Sequence, residues 1–132
     1  MTRAIQQSVV LPASPEELFR TFLDSKMHSA MTGAPAKTSA KARGKWSAWG
    51  GAIQGRNLLI VPGKMIVQAW RSSVFRKSEP DSILVLTFSK AKGGGRIDLV
   101  HVNVPSYDHK GVREGWPKYY WKPWKANLKR RR

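Results

Sequence analysis

Apolar positions near the start of the chain change from a period of two to a helical period. Ala4 to Leu11 alternates loosely and is rich in Val and Ile, which predicts a first strand. In the stretch SPEELFRTFLD that follows, Ser14 and Glu17 form a capping box, with a proline at the first helical position. The predicted helix presents one apolar face, made of Leu18, Phe19, Phe22 and Leu23.

A second short helix and a loop separate this helix from the rest of the chain. Ser25 to Met31 predicts the helix, and Gly33 is placed to end it in a left-handed conformation. Ala34 to Arg43 is small, polar and basic, which predicts a loop.

From Gly44 onward the apolar period is two, with turn residues between short runs. Pro62-Gly63 is a strong turn pair, and Gly93-Gly94-Gly95 predicts a hairpin loop. Short strands joined by tight turns favour an antiparallel meander. The predicted strands are Lys45 to Trp49, Ile53 to Val61, Met65 to Phe75, Ser82 to Ser89 and Arg96 to Val104.

The stretch GWPKYYWKPWKANLKRRR predicts a last helix, with Pro117 in its first turn and a kink at Pro123 that leaves the Tyr119 carbonyl free. Helical projection separates two faces. The face expected to meet the sheet contains Val112, Trp116, Tyr119, Tyr120 and Pro123. The opposite face is a basic stripe of Lys118, Lys122, Lys125 and Lys129, extended by the tail residues Arg130, Arg131 and Arg132. Trp121, Trp124 and Leu128 are predicted on the flank between them.

Composition bounds the class of protein. With 132 residues, 41% apolar content and six Trp, we expect one folded domain over 1–132 with a basic tail at about 129–132. There is no cysteine, and no apolar run approaches the ~18 residues of a membrane span or the length of a signal-peptide core. We therefore expect a cytoplasmic monomer without a membrane span.

Charge adds a hypothesis about partners. The chain has 24 Lys and Arg against 8 Asp and Glu, for a net charge of +16. Such a surface attracts polyanions or an acidic protein surface by long-range electrostatics. Weak, nonspecific nucleic-acid binding through the basic stripe and tail is therefore one hypothesis, with Trp121 and Trp124 as the stacking candidates.

Catalytic residues are not grouped in the sequence. The carboxylates lie mostly at helix starts and turns, and neither cysteine nor a helical His-x-x-x-His suggests a metal site. We expect no cofactor, no metal and no enzyme activity. His101 shares a strand face with Leu99 and Asn103, and is either a polar group in a cavity or a structural histidine.

Several short motifs, in register over nearly the whole chain, resemble one known family. They are Thr32-Gly33, Gly50-Gly51 with Gly55, Pro62-Gly63 with Trp70-Arg71, His101 with Val104-Pro105, and Gly115-Trp116. Their order resembles that in the C-terminal-like domain of heat-shock-protein ATPase activators, within the START-like (SRPBCC) superfamily. The greater share of basic residues here departs from the family's usual composition.

The resemblance implies an α+β helix-grip fold, in which a long C-terminal helix packs across a curved antiparallel sheet. It also implies a cavity between helix and sheet for an apolar small molecule or lipid, unless the tryptophans fill it. A second implied function is co-chaperone-like, with the basic face meeting an acidic chaperone surface. An enzyme of the cyclase or hydratase type is the weakest alternative. The cavity candidates are Trp46, Trp49, Trp70, His101, Asn103, Trp116, Tyr119 and Tyr120.

Overall fold

The computed structural model of the chain describes residues 2–131. Within them, six strands form one antiparallel sheet with the order β1-β6-β5-β4-β3-β2. The strands are β1 (Ile5–Leu11), β2 (Lys45–Ala48), β3 (Ile53–Val61), β4 (Met65–Ser72), β5 (Ser82–Ala91) and β6 (Gly94–Val102). Strands β2 to β6 form the predicted meander, and β1 joins it by pairing with β6.

Two short helices follow β1, as the sequence predicts: α1 (Pro15–Leu23) and α2 (Ser25–Thr32). The Ser14 hydroxyl caps α1 by accepting from the Glu17 backbone N–H at 3.1 Å. Gly33 ends α2 with a left-handed φ of 81°. These caps satisfy backbone groups that a helix end leaves without partners.

Some strand bounds differ from the prediction. Strand β4 ends at Ser72 rather than Phe75, and β6 ends at Val102 rather than Val104. Asn103 has a left-handed φ of 63°, which an asparagine tolerates and which turns the chain away from the sheet. Gly94 and Gly95 belong to β6 and pair with Ala91 and Lys90, so the hairpin loop is shorter than predicted.

The last helix is longer than predicted. It begins at Ser106 and comprises α3 (Ser106–Trp116), one π-helical turn (Pro117–Trp121) and α4 (Lys122–Arg130), together called the C-terminal helix. Pro117 therefore lies in its interior, not in its first turn, and Lys129 and Arg130 belong to the helix rather than to a tail.

The π turn follows from the chemistry of Pro117. Proline has no N–H, so the Arg113 carbonyl loses its helical donor, and the Gln7 side chain donates to that carbonyl at 2.8 Å instead. The Lys122 N–H bonds the Pro117 carbonyl, five residues back. The departure from α geometry thus precedes Pro123, where the sequence predicted a kink.

The extra residue in this turn changes which side chains face the core. Trp121, Trp124 and Leu128 are buried, although they were predicted on the flank, whereas Tyr119 is 44% exposed. The spacing explains the difference, because Trp116 to Trp121 is one π turn of five residues. None of the described helices is long and apolar enough to cross a membrane.

Candidate functional site: an aromatic cleft under the C-terminal helix

A surface cleft of about 460 Å³ lies between the first half of the C-terminal helix and the β3–β4 end of the sheet. Its volume falls in the range of about 300–1,000 Å³ that is typical of small-molecule sites. The walls are mostly apolar, and the aromatic lining residues are Trp49, Trp70, Trp116, Tyr119 and Tyr120. These are five of the eight residues that the sequence suggested for a cavity.

The other three suggested residues do not line the cleft. Trp46 is buried in β2 beside Gly55. His101 is fully buried behind Trp70 and Trp116. Asn103 is exposed, and its amide donates to the Asp81 carbonyl at 3.4 Å. For these three positions the cavity assignment is corrected, because strand alternation does not reveal how deep a residue lies.

His101 is a structural histidine that positions two walls of the cleft. The Trp116 indole N–H donates to Nδ1 at 3.2 Å, so the ring proton lies on Nε2 and is donated to the Ser82 hydroxyl at 2.9 Å. Ser82 in turn donates to the Trp70 carbonyl at 2.6 Å. Burial, with a smaller effect from the charge of His109, lowers the pKa of His101 to about 3. A neutral ring therefore links Trp70 to Trp116.

His28 has a similar role for Tyr120, which the sequence did not suggest. Its Nδ1–H donates to the Phe22 carbonyl at 2.8 Å, and its Nε2 accepts from the Tyr120 hydroxyl at 2.9 Å. Burial lowers the pKa of His28, and burial also raises the pKa of Tyr120. The sequence of α2 mixes polar and apolar residues, so it gave no signal that His28 is buried.

Two cleft walls carry unsatisfied polar groups. The indole N–H groups of Trp49 and Trp70 are buried and form no well-aligned hydrogen bond among the described residues. The Trp49 N–H lies close enough to the Tyr120 hydroxyl to lower its pKa, against the larger effect of burial. Leaving a buried donor unpaired costs about 1–3 kcal/mol. Both N–H groups lie behind the accessible surface of the cleft rather than on it.

Trp49 is also held in an unusual backbone conformation. It opens a short 3₁₀ turn (Trp49–Gly51) with a left-handed φ of 54°, followed by positive φ at Gly50 and Gly51. A bulky residue in this region costs on the order of 1–3 kcal/mol, and such strain is frequent at ligand sites. The conformation places the indole against the Tyr119 ring, with centroids 5.2 Å apart.

The helix side of the cleft contains features that sequence reasoning missed. Asp108 lines it, and the Ser72 hydroxyl donates to its Oδ2 at 3.1 Å. Gly111 and Gly115 line the next two turns, where a glycine costs about 1 kcal/mol relative to alanine. An added Cβ at Gly111 would contact nothing closer than Asp108 Oδ1 at 3.5 Å. The glycines therefore leave open a space that side chains could occupy.

The arrangement favours binding over catalysis. The Ser82–His101 pair superficially resembles a nucleophile and its base, but both side chains are fully buried and Ser82 donates to a carbonyl. In the described part of the chain, no group of three His, Asp or Glu side chains could hold a metal ion.

The predicted basic surface lies on the outer side of the same helix. Lys118, Lys122, Lys125, Lys129, Arg130 and Arg131 are exposed, whereas Arg132 lies outside the described residues. Lys118 lies over the Tyr119 ring at 5.1 Å, and Arg131 is 3.5 Å from the Glu17 carboxylate. The proposed stacking residues Trp121 and Trp124 are buried and unavailable to bases, so that assignment is wrong.

Comparison with known proteins agrees with this fold. The chain is similar to the human activator of 90 kDa heat shock protein ATPase homolog 1, at 34% identity over 81% of the chain and 31% of the human protein. A Dictyostelium discoideum homolog of that activator is 28% identical over 87% of the chain and 30% of its own length. The chain thus spans about a third of these curated relatives.

A solved structure shows the same architecture. An HSP90 activator from Plasmodium falciparum superposes with a TM-score of 0.86 at 22% identity, covering 96% of both chains, which supports the fold alone. A family model described as "Activator of Hsp90 ATPase homolog 1-like protein" matches residues 12–129. Since that match includes most of the chain, the protein belongs to the family of Activator of Hsp90 ATPase homolog 1-like proteins.

Proposed function

We propose that this protein is a noncatalytic binding module whose cleft takes a small apolar molecule. The observation that carries the proposal is an open cleft of about 460 Å³ whose lining includes five aromatic side chains. A mostly apolar pocket with a few convergent polar groups is the usual form of a ligand site.

The alternative that the tryptophans fill the space entirely has less support. Trp124 and Trp121 do fill the core below the second half of the helix, where their rings stack 6.4 Å apart. Trp49 and Tyr119 instead remain partly exposed and line the open cleft.

A thermal-shift screen of an apolar fragment library tests this proposal. A ligand that binds only the folded state raises the unfolding temperature. Gly111→Leu directs a side chain into the cleft and should abolish the shifts. Lys110→Leu, on the exposed surface of α3, is the matched control and should retain them. Absence of any shift with the unaltered protein, or equal shifts in both variants, would count against a cleft ligand.

A second, co-chaperone-like function is favoured by the family match and by the basic outer face of the C-terminal helix. We propose that this face contacts an acidic surface of an Hsp90-type chaperone. Its lysines are exposed, so charge pairing with a partner would steer association and weaken as salt rises.

Charge reversal on the helix tests the chaperone contact. The variant with Lys118, Lys122, Lys125 and Lys129 changed to Glu should lose binding to an Hsp90-type chaperone in low-salt calorimetry. A control with Lys64, Lys77, Lys90 and Lys92 changed to Glu carries the same net charge and should keep it. Equal loss in both variants would mean that net charge alone drives the association.

Polyanion binding remains the alternative function for this basic face. The two tryptophans predicted to stack on bases do not contribute to it. Trp121 and Trp124 are buried and cannot stack on bases, so the binding would depend mainly on phosphate contacts by the lysines. Such binding loses orders of magnitude between low and physiological salt. Tight binding of single strands at physiological salt would favour this alternative over the chaperone contact.

A further inference from the structure

We infer that the cleft selects a flat aromatic ligand with a cationic head, held at Asp108, and discriminates against anionic ligands. This inference rests on the proposed ligand-binding function and names its ligand class. It runs against the net charge of +16, from which an anionic ligand would be expected.

Asp108 is the one lining residue with a charged side chain. Its Oδ2 accepts from Ser72, whereas Oδ1 has no hydrogen-bond partner among the described residues. No Lys or Arg forms an ion pair with it in the part of the chain that the structure describes. In a chain with three times as many basic as acidic residues, this carboxylate keeps an open acceptor at the cleft.

A purely structural role explains only part of this geometry. Asp108 lies in the first turn of α3, where a carboxylate is favourable to the helix dipole, and the Ser72 bond links α3 to β4. The bond to Ser72 uses Oδ2, and the dipole effect depends only on the negative charge. Neither requires Oδ1 to remain unpaired beside Gly111, whose missing side chain keeps this part of the cleft open.

The aromatic walls favour the same class of ligand. Trp70 and Trp116 are only 5% and 3% exposed, so the accessible aromatic surface comes mainly from Tyr119, which is 44% exposed, and from Trp49, which packs edge-on to it. Tryptophan and tyrosine faces attract cations and stack on flat rings.

Screening by salt determines whether a ligand in the cleft responds to the basic surface of the protein or to the nearby Asp108 carboxylate. At about 0.15 M salt the screening length is about 8 Å, so lysines farther away than this act weakly on a molecule inside the cleft. Lys118 is nearer, at 5.1 Å from the Tyr119 ring, but it lies on the outer side of the helix. A head group in contact with Asp108 is close enough to respond to that charge.

Three probes with one aromatic body test the inference in the full chain. They are 1-naphthylmethylamine, 1-naphthylmethanol and 1-naphthoate, with Kd measured by calorimetry at about 0.15 M salt. We expect the amine to bind about tenfold more tightly than the alcohol and the anion to bind most weakly. Asp108→Asn should bring the amine's Kd to that of the alcohol. Glu114→Gln removes an exposed carboxylate from the same helix and should change none of the three.

The outcomes separate this inference from the function on which it rests. Equal Kd values for the three probes, tighter binding of the anion, or an order that survives Asp108→Asn would overturn the selectivity and leave cleft binding intact. If no probe binds and the fragment screen also finds no ligand, both proposals fail. Thermal unfolding of Asp108→Asn shows that the variant is folded, and restoration of amine binding by Asp108→Glu would further support a charge contact.

Discussion

The two halves of the C-terminal helix carry similar aromatic residues but differ in how closely the rest of the protein packs against them. The second half buries Trp121, Trp124 and Leu128, and Phe22 of α1 stacks on Trp124 with centroids 6.3 Å apart. The first half faces the cleft. Aromatic content alone therefore does not distinguish a core from a site.

The difference arises from small residues and backbone conformation on the open side. Gly111 and Gly115 contribute no side chain, and the left-handed turn at Trp49 moves an indole to the rim. On the closed side, Gln7 accepts from the Trp121 indole N–H at 2.8 Å and fixes the π turn. Four predictions test this comparison.

Truncating Trp124, in the second half, and Trp49, which packs against Tyr119 of the first half, should give the largest contrast. Trp124 is 0% exposed, so Trp124→Ala should lower the free energy of unfolding by about 3–5 kcal/mol. Trp49→Gly removes a ring but also relieves the left-handed strain, so we expect a loss of less than about 1 kcal/mol. Urea unfolding measures both. Similar losses would mean that the two halves are equally packed.

Acidification should destabilise the histidine supports of the first half. His28 and His101 have a folded-state pKa below the ordinary 6.5, so the unfolded chain binds more protons as pH falls below that value. The free energy of unfolding should therefore be fully present above about pH 6.5 and fall by up to about 1.4 kcal/mol per pH unit for each histidine.

Urea unfolding between about pH 6.5 and 5, above the range in which most carboxylates titrate, measures this slope. His101→Gln removes one of the two titrating groups, so it should lower the slope by up to about 1.4 kcal/mol per pH unit. A flat profile in this window would contradict the neutral histidine network.

Filling the open half should stabilise the protein while weakening its ligand. Gly111→Ala adds a helix-favouring methyl with no close contact, so we expect a gain of about 0.5–1 kcal/mol in the free energy of unfolding. Ligand affinity should fall in the same variant. A loss of stability would show that the glycine is needed by the backbone rather than by the cleft.

Reversing the outer charges should have the smallest effect on stability. Lys118, Lys122, Lys125 and Lys129 are exposed, so changing all four to Glu should alter the free energy of unfolding by less than about 1 kcal/mol. Circular dichroism followed during urea unfolding measures this free energy. A large loss of stability would mean that these lysine side chains contribute to the packing of the helix against the core.

Local signals in the sequence predicted much of the fold. The Ser14–Glu17 capping box, the Gly33 cap and the period-two runs depend on neighbouring residues, and the structure confirms them. The π turn was missed because its cause is distant, since the donor that compensates Pro117 comes from Gln7 in β1. That single turn decides which tryptophans are buried.

The candidate site was predicted only in outline. Five aromatic residues of the cleft were named because the family resemblance implied a cavity under the last helix. Asp108 and Gly111 carried no signal, because a carboxylate in a first helical turn and a helical glycine have ordinary explanations. Gly115 was noted only as part of the Gly115-Trp116 motif. The burial of His101 likewise depends on residues packed around it from β4, β5 and α3. The alternation of residues along one strand does not predict such contacts.

The most direct test of the account is a titration of the indole N–H resonances with 1-naphthylmethylamine. Trp46, Trp49, Trp70 and Trp124 all have buried indole N–H groups without partners, but only Trp49 and Trp70 line the cleft. We expect the signals of Trp49 and Trp70 to shift in a saturable manner while those of Trp46 and Trp124 stay in place. Shifts confined to Trp46 or Trp124, equal shifts in all four, or none at all would contradict a ligand site under the first half of the helix.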